Sequence, residues 1–425
     1  KAFAQLAGID DRPKLLIADT LKGYGVSFME HPTAMNRPGC NGLYPWHAGA
    51  PKDEDYLTAR KEVLDRINKV LSGAKVPELK LKDIVPLPSH NPVYTLDGEP
   101  VSIAMPAVSK KGSKFVAEAY SNALEEAMRR RKDIVVLDAD LSADCRVRKI
   151  EDEMPERFIE CGIAEQDMVS MAGGLARQGL LPVVNSFASF LASRANEQIY
   201  NNASENTKII YVNHYAGMIP AGPGKSHQST RDISLLGALP NCEIIQPCNQ
   251  AETKMVVDYA IDECSVNAVI RLVIGPSPRD IDLPSGYSLK RGLGVVIADG
   301  SDAVVIAYGP VMLHEVLIAA KMLATKGISL RIVNMPWLNR CDRTWLTGTV
   351  QDMQEIIIVD DHSPVGGLGD FLISEMSESD ILQGGKVHKF AVEGYPKFGT
   401  PPEALKAHGL DGMSIAERIK SILHK

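Results

Sequence analysis

The chain has 425 residues and a formal net charge of −7, from 46 Lys and Arg against 53 Asp and Glu. The charges form no long run of one sign, which disfavours nucleic acid and anionic membrane surfaces as partners. No apolar run is as long as a membrane span and no signal peptide is recognisable, so we expect a cytoplasmic protein. Seven scattered cysteines without CxxC spacing are typical of reduced thiols rather than of a disulfide framework or a zinc site.

The first block, residues 1–85, carries an apolar run at Leu15–Asp19 that predicts a strand. A glycine turn containing Lys22 and a segment rich in glycine and proline lead from this strand to His47. A strand followed by a glycine loop with polar residues is typical of a ligand site at the carboxyl edge of a sheet. Residues 86–113 are rich in proline and polar side chains and show no periodicity, which predicts a linker.

The second block, residues 114–283, alternates helical segments with short apolar runs. The runs that predict strands are Ile134–Asp138, Leu181–Val184, Ile209–Val212 and Ala268–Val273. The third block, residues 284–425, repeats the pattern at Ala303–Ala307, Leu330–Val333 and Glu355–Val359. We therefore predict an α/β fold, with one parallel-sheet domain covered by helices on both faces and a smaller α/β domain after it.

One acid, Glu165, lies at the head of a helix that is otherwise apolar and rich in small residues. The predicted buried face of this helix repeats at helical spacing and consists of Met168, Met171, Ala172, Leu175 and Ala176. A carboxylate one turn before that face lies at a packed end, where a buried charge needs a partner. Taken alone, this stretch favours the interpretation of Glu165 as an acid that caps the helix and interacts with its dipole.

The segment Gly162-Ile-Ala-Glu-Gln166 resembles the pyrimidine-binding domain of the transketolase family. In that family this glutamate bonds N1′ of the aminopyrimidine ring of thiamine diphosphate. A carboxyl group in an apolar site favours a state in which it shares a proton, which suits activation of the cofactor at C2. The resemblance thus implies thiamine diphosphate as the cofactor and Glu165 as a catalytic residue.

Other stretches carry the resemblance in the order in which the family has them. Ile17–Val26 and Trp46-His47 are similar to the end of the diphosphate-binding domain, and Tyr308–Glu315 and Asp360–Gly369 are similar to the C-terminal domain. Together they cover essentially the whole chain. The implied domains are the end of a diphosphate-binding domain (1–85), a linker (86–113), a pyrimidine-binding domain (114–283) and a transketolase C-terminal domain (284–425).

The resemblance also implies residues that hold the cofactor. Phe187 and Phe190 resemble two rings that pack on the aminopyrimidine, although their spacing also fits one face of a core helix. Asp140 resembles an acid close to the cofactor, or is a strand-end cap. Lys22 resembles a lysine near the diphosphate, or is a solvated lysine.

Three histidines resemble residues that act in the reaction. His47 resembles an imidazole near the reactive carbon and the diphosphate. His214 and His227 resemble substrate-facing histidines that steady donor hydroxyls and move protons, a role that suits a side chain titrating near neutral pH. Each of the three could instead be a solvated loop histidine.

The family binds its diphosphate through Mg²⁺, with a Gly-Asp-Gly motif followed by an asparagine, and no such segment occurs in this sequence. Because Mg²⁺ requires oxygen ligands that it shares with phosphates, we expect its ligands upstream of Lys1, in a longer protein or in a second polypeptide. The family also builds its site between subunits, which implies a homodimer.

The implied activity is the transfer of a two-carbon ketol unit from a ketose donor to an aldehyde acceptor, both small sugar substrates. A deoxyxylulose-phosphate-synthase-like enzyme, another thiamine-diphosphate enzyme, and a catalytically silent paralogue or subunit remain alternatives. The β-subunit of a 2-oxo acid dehydrogenase is disfavoured, because Lys22 and His47 precede the pyrimidine-binding block.

Positions at which the family holds a sugar phosphate are altered here. Two arginines and a serine of the family correspond to Ala117, Ile274 and Asp144. The loss of two fork-shaped cations and the addition of an acid predict a substrate without the usual terminal phosphate. Alternatively, the phosphate site has moved to other cations, for which the candidates are Lys225, Arg231 and Arg279.

Overall fold

The computed structural model describes residues 2–36, 44, 46, 51–81, 93–94, 100–101, 116–275, 281–378, 381 and 384–423. The predicted site residue His47 and the alternative phosphate ligand Arg279 lie outside the described residues. The chain divides into two units, residues 1–91 and residues 92–425.

The described elements of the first unit are helix α1 (Ala2–Ala7), a 3₁₀ turn (Thr33–Asn36) and helix α2 (Asp53–Gly73). The prediction of a strand at Leu15–Asp19 is wrong for the described chain. The segment has no regular secondary structure and belongs to no sheet, and Leu15 and Ile17 are 80% and 81% exposed. A strand must pair its N–H and C=O groups with a neighbouring strand, and the described residues place none beside it.

Two short antiparallel strands, β1 (Val93–Tyr94) and β2 (Pro100–Val101), pair within the predicted linker. The rest of residues 86–113 lies outside the described residues. The proline-rich composition of this segment did not indicate any strand pairing.

A six-stranded sheet forms between residues 134 and 272, and all its strands are parallel in the order β4-β3-β5-β6-β8-β7. The strands are β3 (Ile134–Asp138), β4 (Phe158–Glu160), β5 (Leu181–Phe187), β6 (Ile210–His214), β7 (Cys242–Ile245) and β8 (Asn267–Leu272). All but β4 are buried at every position, as strands covered on both faces require. The predicted parallel-sheet domain is confirmed.

Helices α3 to α9 accompany this sheet. They are α3 (Val116–Arg130), α4 (Arg148–Glu153), α5 (Glu165–Arg177), α6 (Ala188–Arg194), α7 (Asn196–Ser204), α8 (Asp232–Leu236) and α9 (Gln250–Asp258), and a 3₁₀ turn (Pro155–Arg157) and a π-helical turn (Tyr259–Glu263) follow α4 and α9.

The buried face of α5 differs from the predicted one. Glu165, Met168 and Ala172 are buried as expected, but Met171 is 37% exposed, so its assignment to the buried face is wrong. Gly173 is buried instead, because α7 approaches the helix closely there: a Cβ on Gly173 would lie 2.1 Å from Oδ1 of Asn202. This close approach sets the rotation of α5 about its axis.

The second sheet has five strands in the order β13-β12-β10-β11-β9, of which only β9 is antiparallel to its neighbour. Its strands are β9 (Val295–Ala298), β10 (Ala303–Ala307), β11 (Leu330–Asn334), β12 (Glu355–Val359) and β13 (Lys386–Phe390). Its helices are α10 (Gly309–Ala324), α11 (Arg343–Val350), α12 (Leu368–Glu378), α13 (Pro401–Ala407) and α14 (Gly412–Ile422). The predicted smaller α/β domain is confirmed. Among the helices of the described residues, none is both long and apolar enough to cross a membrane.

The second domain covers an edge of the first sheet. Strand β7 is the last strand of the six-stranded sheet, and its free side pairs with the segment that follows β11. Leu338 N donates to Ile244 O over 2.9 Å, and Gln246 N donates to Pro336 O over 2.9 Å. The edge is therefore closed by backbone bonds rather than left open to pair with another chain.

A buried ionic cluster, here called the Arg271 cluster, also joins the two domains. Arg271 lies near the end of β8 and is fully buried; its Nε donates to Asp232 over 2.7 Å, and its Nη1 donates to Asp361 over 3.3 Å. Gln246 accepts from Nη1 as well, and Tyr308 donates to Asp361 over 2.8 Å. Because Asp232 begins α8 and Asp361 follows β12, one cation fixes a helix of the first domain to a loop of the second.

Replacing Arg271 by Leu should lower the free energy of unfolding by about 3–5 kcal/mol, because two carboxylates would stay buried without their cation. Denaturation followed by the fluorescence of Trp337 and Trp345 measures this change. Arg177→Leu is the control, since its ion pair with Glu205 is exposed on both sides and should contribute about 1 kcal/mol or less. Equal losses in the two variants would contradict the prediction.

Candidate active site

The carboxyl ends of the central strands bring several predicted site residues to one edge of the sheet. The register places Asp138 of β3 beside Asn185 of β5, and Phe187 of β5 beside His214 of β6. Helix α5 starts at this edge, after β4, with Glu165 as its first residue. A parallel sheet presents all its carboxyl ends on one side, which is where ligands bind in such folds.

Strained backbone concentrates at the same edge. Asp140 (φ 59°) and Arg146 (φ 63°) lie in the loop after β3, and Tyr215 (φ 59°) directly follows β6. Left-handed backbone at a residue other than glycine costs on the order of 1–3 kcal/mol and persists where the surrounding structure imposes it, often at functional sites. The loops at this edge are therefore held in fixed conformations.

Glu165 is almost fully buried, at 2% exposure, and its partners are side chains of β5 and α6. Arg194 Nη1 donates to Oε1 over 2.7 Å, and Ser186 Oγ donates to the same oxygen over 3.4 Å. The carboxylate therefore faces the sheet edge, which differs from the interpretation of Glu165 as a simple helix cap.

Four rings form an aromatic cluster at this sheet edge: Phe187, Phe190, Tyr215 and His227. The centroids of Phe187 and Phe190 lie 5.5 Å apart, and His227 lies 5.7 Å and 5.2 Å from them. Tyr215 lies 5.2 Å from Phe187. The two phenylalanines do not share a helix face, because Phe187 ends β5 while Phe190 belongs to α6.

His227 reaches the aromatic cluster from the loop between β6 and α8. The next residue, Gln228, donates to the carbonyls of Met218 and Lys397 over 2.9 Å each, so the loop is tied both to itself and to the C-terminal domain. Partial burial lowers the pKa of His227; nearby Arg194 lowers it further, and the negative charge of Asp144 opposes both. The ring is therefore mostly neutral at pH 7.

His214 lies in the core rather than on a solvated loop, so the interpretation as a solvated histidine is wrong. Its Nε2 lies 3.2 Å from Oδ1 of Asn185, and Tyr120 donates to that same oxygen over 2.6 Å. Burial lowers the pKa of His214 to about 3, with a smaller contribution from Arg146. Its Nδ1 is buried and has no partner among the described residues.

Asp140 and Lys22 are the remaining predicted site residues that the structure describes. Asp140 is exposed, and its N–H donates over 2.9 Å to Glu160, which also accepts from the N–H of Gly162 over 2.7 Å. Lys22 lies in the first unit, with its Nζ 4.4 Å from the ring centroid of Tyr44.

Within the described ranges, no group of three His, Cys, Asp or Glu side chains is arranged to hold a metal ion.

Two residues of this site were missed by the sequence analysis. Arg194 contacts Glu165 and also lies over Phe190, with Cζ 4.0 Å from the ring centroid. Its position four residues after Phe190 on a helix is a signal for this contact, since residues at that spacing share a helix face. Tyr215 gave no comparable signal, because the turn of the chain after β6 brings it to Phe187.

The comparisons with known proteins give consistent results. Residues 114–272 match the family described as transketolase, pyrimidine binding domain, and residues 292–415 match transketolase, C-terminal domain. A putative transketolase C-terminal section from Methanocaldococcus jannaschii is 32% identical over 73% of this chain and 97% of its own length. Transketolase-like protein 2 from Mus musculus is 28% identical over the whole chain, which spans 64% of that protein.

Among solved structures, a split gene transketolase described as an inactive beta4 tetramer superposes with a TM-score of 0.65. It is 32% identical in sequence, and the match covers 74% of this chain and 99% of that one.

The effect of the neighbouring charges on the pKa of His227 can be tested directly. Arg194→Met should raise the pKa of His227, because a nearby cation disfavours the imidazolium, and Asp144→Asn should lower it, because an anion is removed. A pH titration of the His227 Cε1–H signal by NMR measures both shifts. Arg177→Met, at the far end of α5, is the control and should leave the titration unchanged; shifts of the same sign in the two test variants would refute this electrostatic assignment.

Proposed function

The chain belongs to the transketolase family, and we propose that it is a thiamine-diphosphate-dependent transferase that moves a two-carbon ketol unit from a ketose to an aldehyde. The observation that carries the proposal is the buried carboxylate of Glu165 at the carboxyl edge of the sheet, which Arg194 connects to the ring of Phe190. Such an arrangement suits a flat ring that carries hydrogen-bonding nitrogens.

The residues fit the aminopyrimidine ring of the cofactor. The planar guanidinium of Arg194 already lies over Phe190 and bonds Glu165, so this space accepts a flat group with N–H donors. When bound, thiamine diphosphate supplies the nucleophilic carbon that carries the ketol unit. Glu165 would share a proton with N1′ of the ring, and Phe187 and Phe190 would hold the ring and exclude water.

The histidines supply proton transfer in this proposal. His227 is mostly neutral at pH 7 and lies against the aromatic cluster, so it can take a proton from a substrate hydroxyl. His214 would act as a hydrogen-bond acceptor through the buried, unpartnered Nδ1. His47 keeps the role near the reactive carbon that the family resemblance implies.

The diphosphate and the Mg²⁺ that accompanies it would be held outside the pyrimidine-binding domain, with Lys22 near the diphosphate. Asp140 would be an acid close to the cofactor. A relative described as a split gene transketolase forms an inactive tetramer of one kind of subunit. We propose that this chain also acts in an assembly, a homodimer with the active site at the subunit interface.

Glu165→Gln should slow exchange of the cofactor's C2 proton by roughly 10²–10⁴-fold, the usual size of a lost acid–base contribution. Deuterium exchange in the assembled, cofactor-loaded enzyme, followed by NMR, measures the rate. Glu160→Gln is the matched control, because this exposed acid lies at the same sheet edge but bonds only backbone N–H groups of its neighbours in the described chain. An exchange rate equal to that of the native enzyme in Glu165→Gln would exclude the assignment.

We further propose that the substrate lacks a terminal phosphate. Asp144 is exposed, and its negative charge reaches both Tyr215 and His227. Two like charges about 4 Å apart repel by roughly 1–4 kcal/mol, depending on screening. Ala117 is fully buried and Ile274 carries no charge, so neither offers a cation for a phosphate.

The enzyme should therefore have a higher kcat/KM for xylulose than for xylulose 5-phosphate, and Asp144→Ser should narrow that difference by about tenfold, or about 1.4 kcal/mol. Steady-state kinetics with matched free and phosphorylated donors and aldehydes measure the ratio. Asp152→Asn, an exposed acid on α4, is the control. A strong preference for phosphorylated substrates throughout would show that the phosphate site has moved to cations such as Lys225 or Arg231.

A further inference from the structure

Arg194 makes at one time the two contacts that the proposed cofactor ring would make. Its guanidinium donates to Oε1 of Glu165 over 2.7 Å, and its Cζ lies 4.0 Å from the centroid of Phe190. A guanidinium group is planar and carries N–H donors along its edge, so it resembles an aminopyrimidine ring in shape and in hydrogen bonding. The side chain of Arg194 and a ring bound between Glu165 and Phe190 cannot occupy this space at the same time.

Burial differs between the two partners of this ion pair. Glu165 is 2% exposed, whereas the side chain of Arg194 is 42% exposed. A buried carboxylate is costly without a partner, so Glu165 must be paired whether or not a ligand is present. Arg194 can move into water at low cost, because its charged end is already partly solvated.

We propose that Arg194 is a positioning residue that holds Glu165 and covers Phe190 until the cofactor's aminopyrimidine ring displaces it. The inference rests on the proposed function, because it concerns the same ring site. While Arg194 occupies the site, Glu165 keeps its position and Phe190 stays covered. When the ring binds, it replaces the guanidinium of Arg194 as the planar group over Phe190 and as the hydrogen-bond donor to Glu165. Glu165 therefore keeps the same number of polar partners.

Displacement has a thermodynamic consequence. A ligand that must first displace a side chain binds with an apparent affinity reduced by the fraction of molecules in which the side chain has already left. Removing the guanidinium should therefore increase the affinity for the ring. The face of Phe190 is then uncovered, and the carboxylate of Glu165 lacks a hydrogen-bond donor. A residue that only supported the fold, or one that bonded the ring itself, would give the opposite result when removed.

The test uses the pyrimidine half of thiamine, 4-amino-5-hydroxymethyl-2-methylpyrimidine, which has no phosphate and needs no metal. Its Kd for the full chain is measured by ligand-observed NMR at millimolar concentrations. Arg194→Met should bind the probe about tenfold more tightly than the native chain. Arg194→Lys should bind about threefold more tightly, because lysine can pair with Glu165 but cannot spread over the ring of Phe190.

Arg231→Met is the matched control, because Arg231 contacts Ser193 over 3.0 Å beside the same helix but, within the described residues, bonds neither Glu165 nor Phe190. Its Kd should equal that of the native chain. A second measurement follows the ¹⁵Nε signal of Arg194, identified by its loss in Arg194→Met. As the probe is titrated into the native chain, this signal should move to the chemical shift of a solvated arginine. The Kd fitted to this movement should equal the Kd measured for the probe.

The outcomes separate the two proposals. If the native chain binds the probe, Glu165→Gln weakens binding, and both Arg194 variants bind no more tightly than the native chain, the displacement inference is wrong and the proposed function stands. An unmoved Arg194 signal at saturation would also overturn the inference. If neither the native chain nor any variant binds the probe, the ring site itself is wrong, and both proposals fall together.

Discussion

The buried positive charge of Arg271 holds together the parts of the molecule on which the site depends. A fully buried guanidinium is stable only if its charge and donors are satisfied, and Asp232, Asp361 and Gln246 provide the partners. Burial raises the pKa of Asp361 in spite of the nearby cation. Burial is also the largest influence on Asp232, but the charge and hydrogen bonds of Arg271, with smaller contributions from His362 and Ser229, together outweigh it and lower the pKa of Asp232. The cluster joins the end of β8 to α8 and to the loop after β12, and so joins the two sheets.

This junction sets the position of the loop that carries His227. The loop begins after β6 and ends at Asp232, and at its start Gly217 approaches the second domain so closely that a Cβ would lie 1.9 Å from Oδ2 of Asp361. At the other end, Ser363 N donates to Thr230 O over 2.8 Å. The C-terminal domain contributes none of the four rings of the aromatic cluster, yet its backbone and carboxylates hold one of them in place. This provides a physical reason for the domain to accompany the pyrimidine-binding domain.

The chemistry of the site centres on an acid that is buried and paired at the same time. The sequence analysis expected a carboxyl group in apolar surroundings, and the structure adds a cation that also covers an aromatic ring. In the proposed displacement, Glu165 would keep a polar partner throughout, first Arg194 and then the ring of the cofactor. The surrounding loops are held by left-handed residues and by the acid Glu160, which limits how far the site can change shape when a ligand enters.

The sequence by itself determined the α/β fold class, because short apolar runs and helical spacing report local burial and local hydrogen bonding. It also predicted that Glu165 lies at the packed end of a helix, where it is almost fully buried. Through the resemblance to a family it also singled out Phe187, Phe190 and His227 as candidate site residues, but not their contacts with one another. It could not predict that Leu15–Asp19 lacks a neighbouring strand, that Met171 is exposed, or that His214 is buried with an unpartnered nitrogen. Arg194 and Glu165 are 29 residues apart, and Arg271 and Asp361 are 90 residues apart. Such pairings were decided only by the tertiary structure, because they depend on the order of the strands and on how closely the helices approach, and no local pattern encodes either.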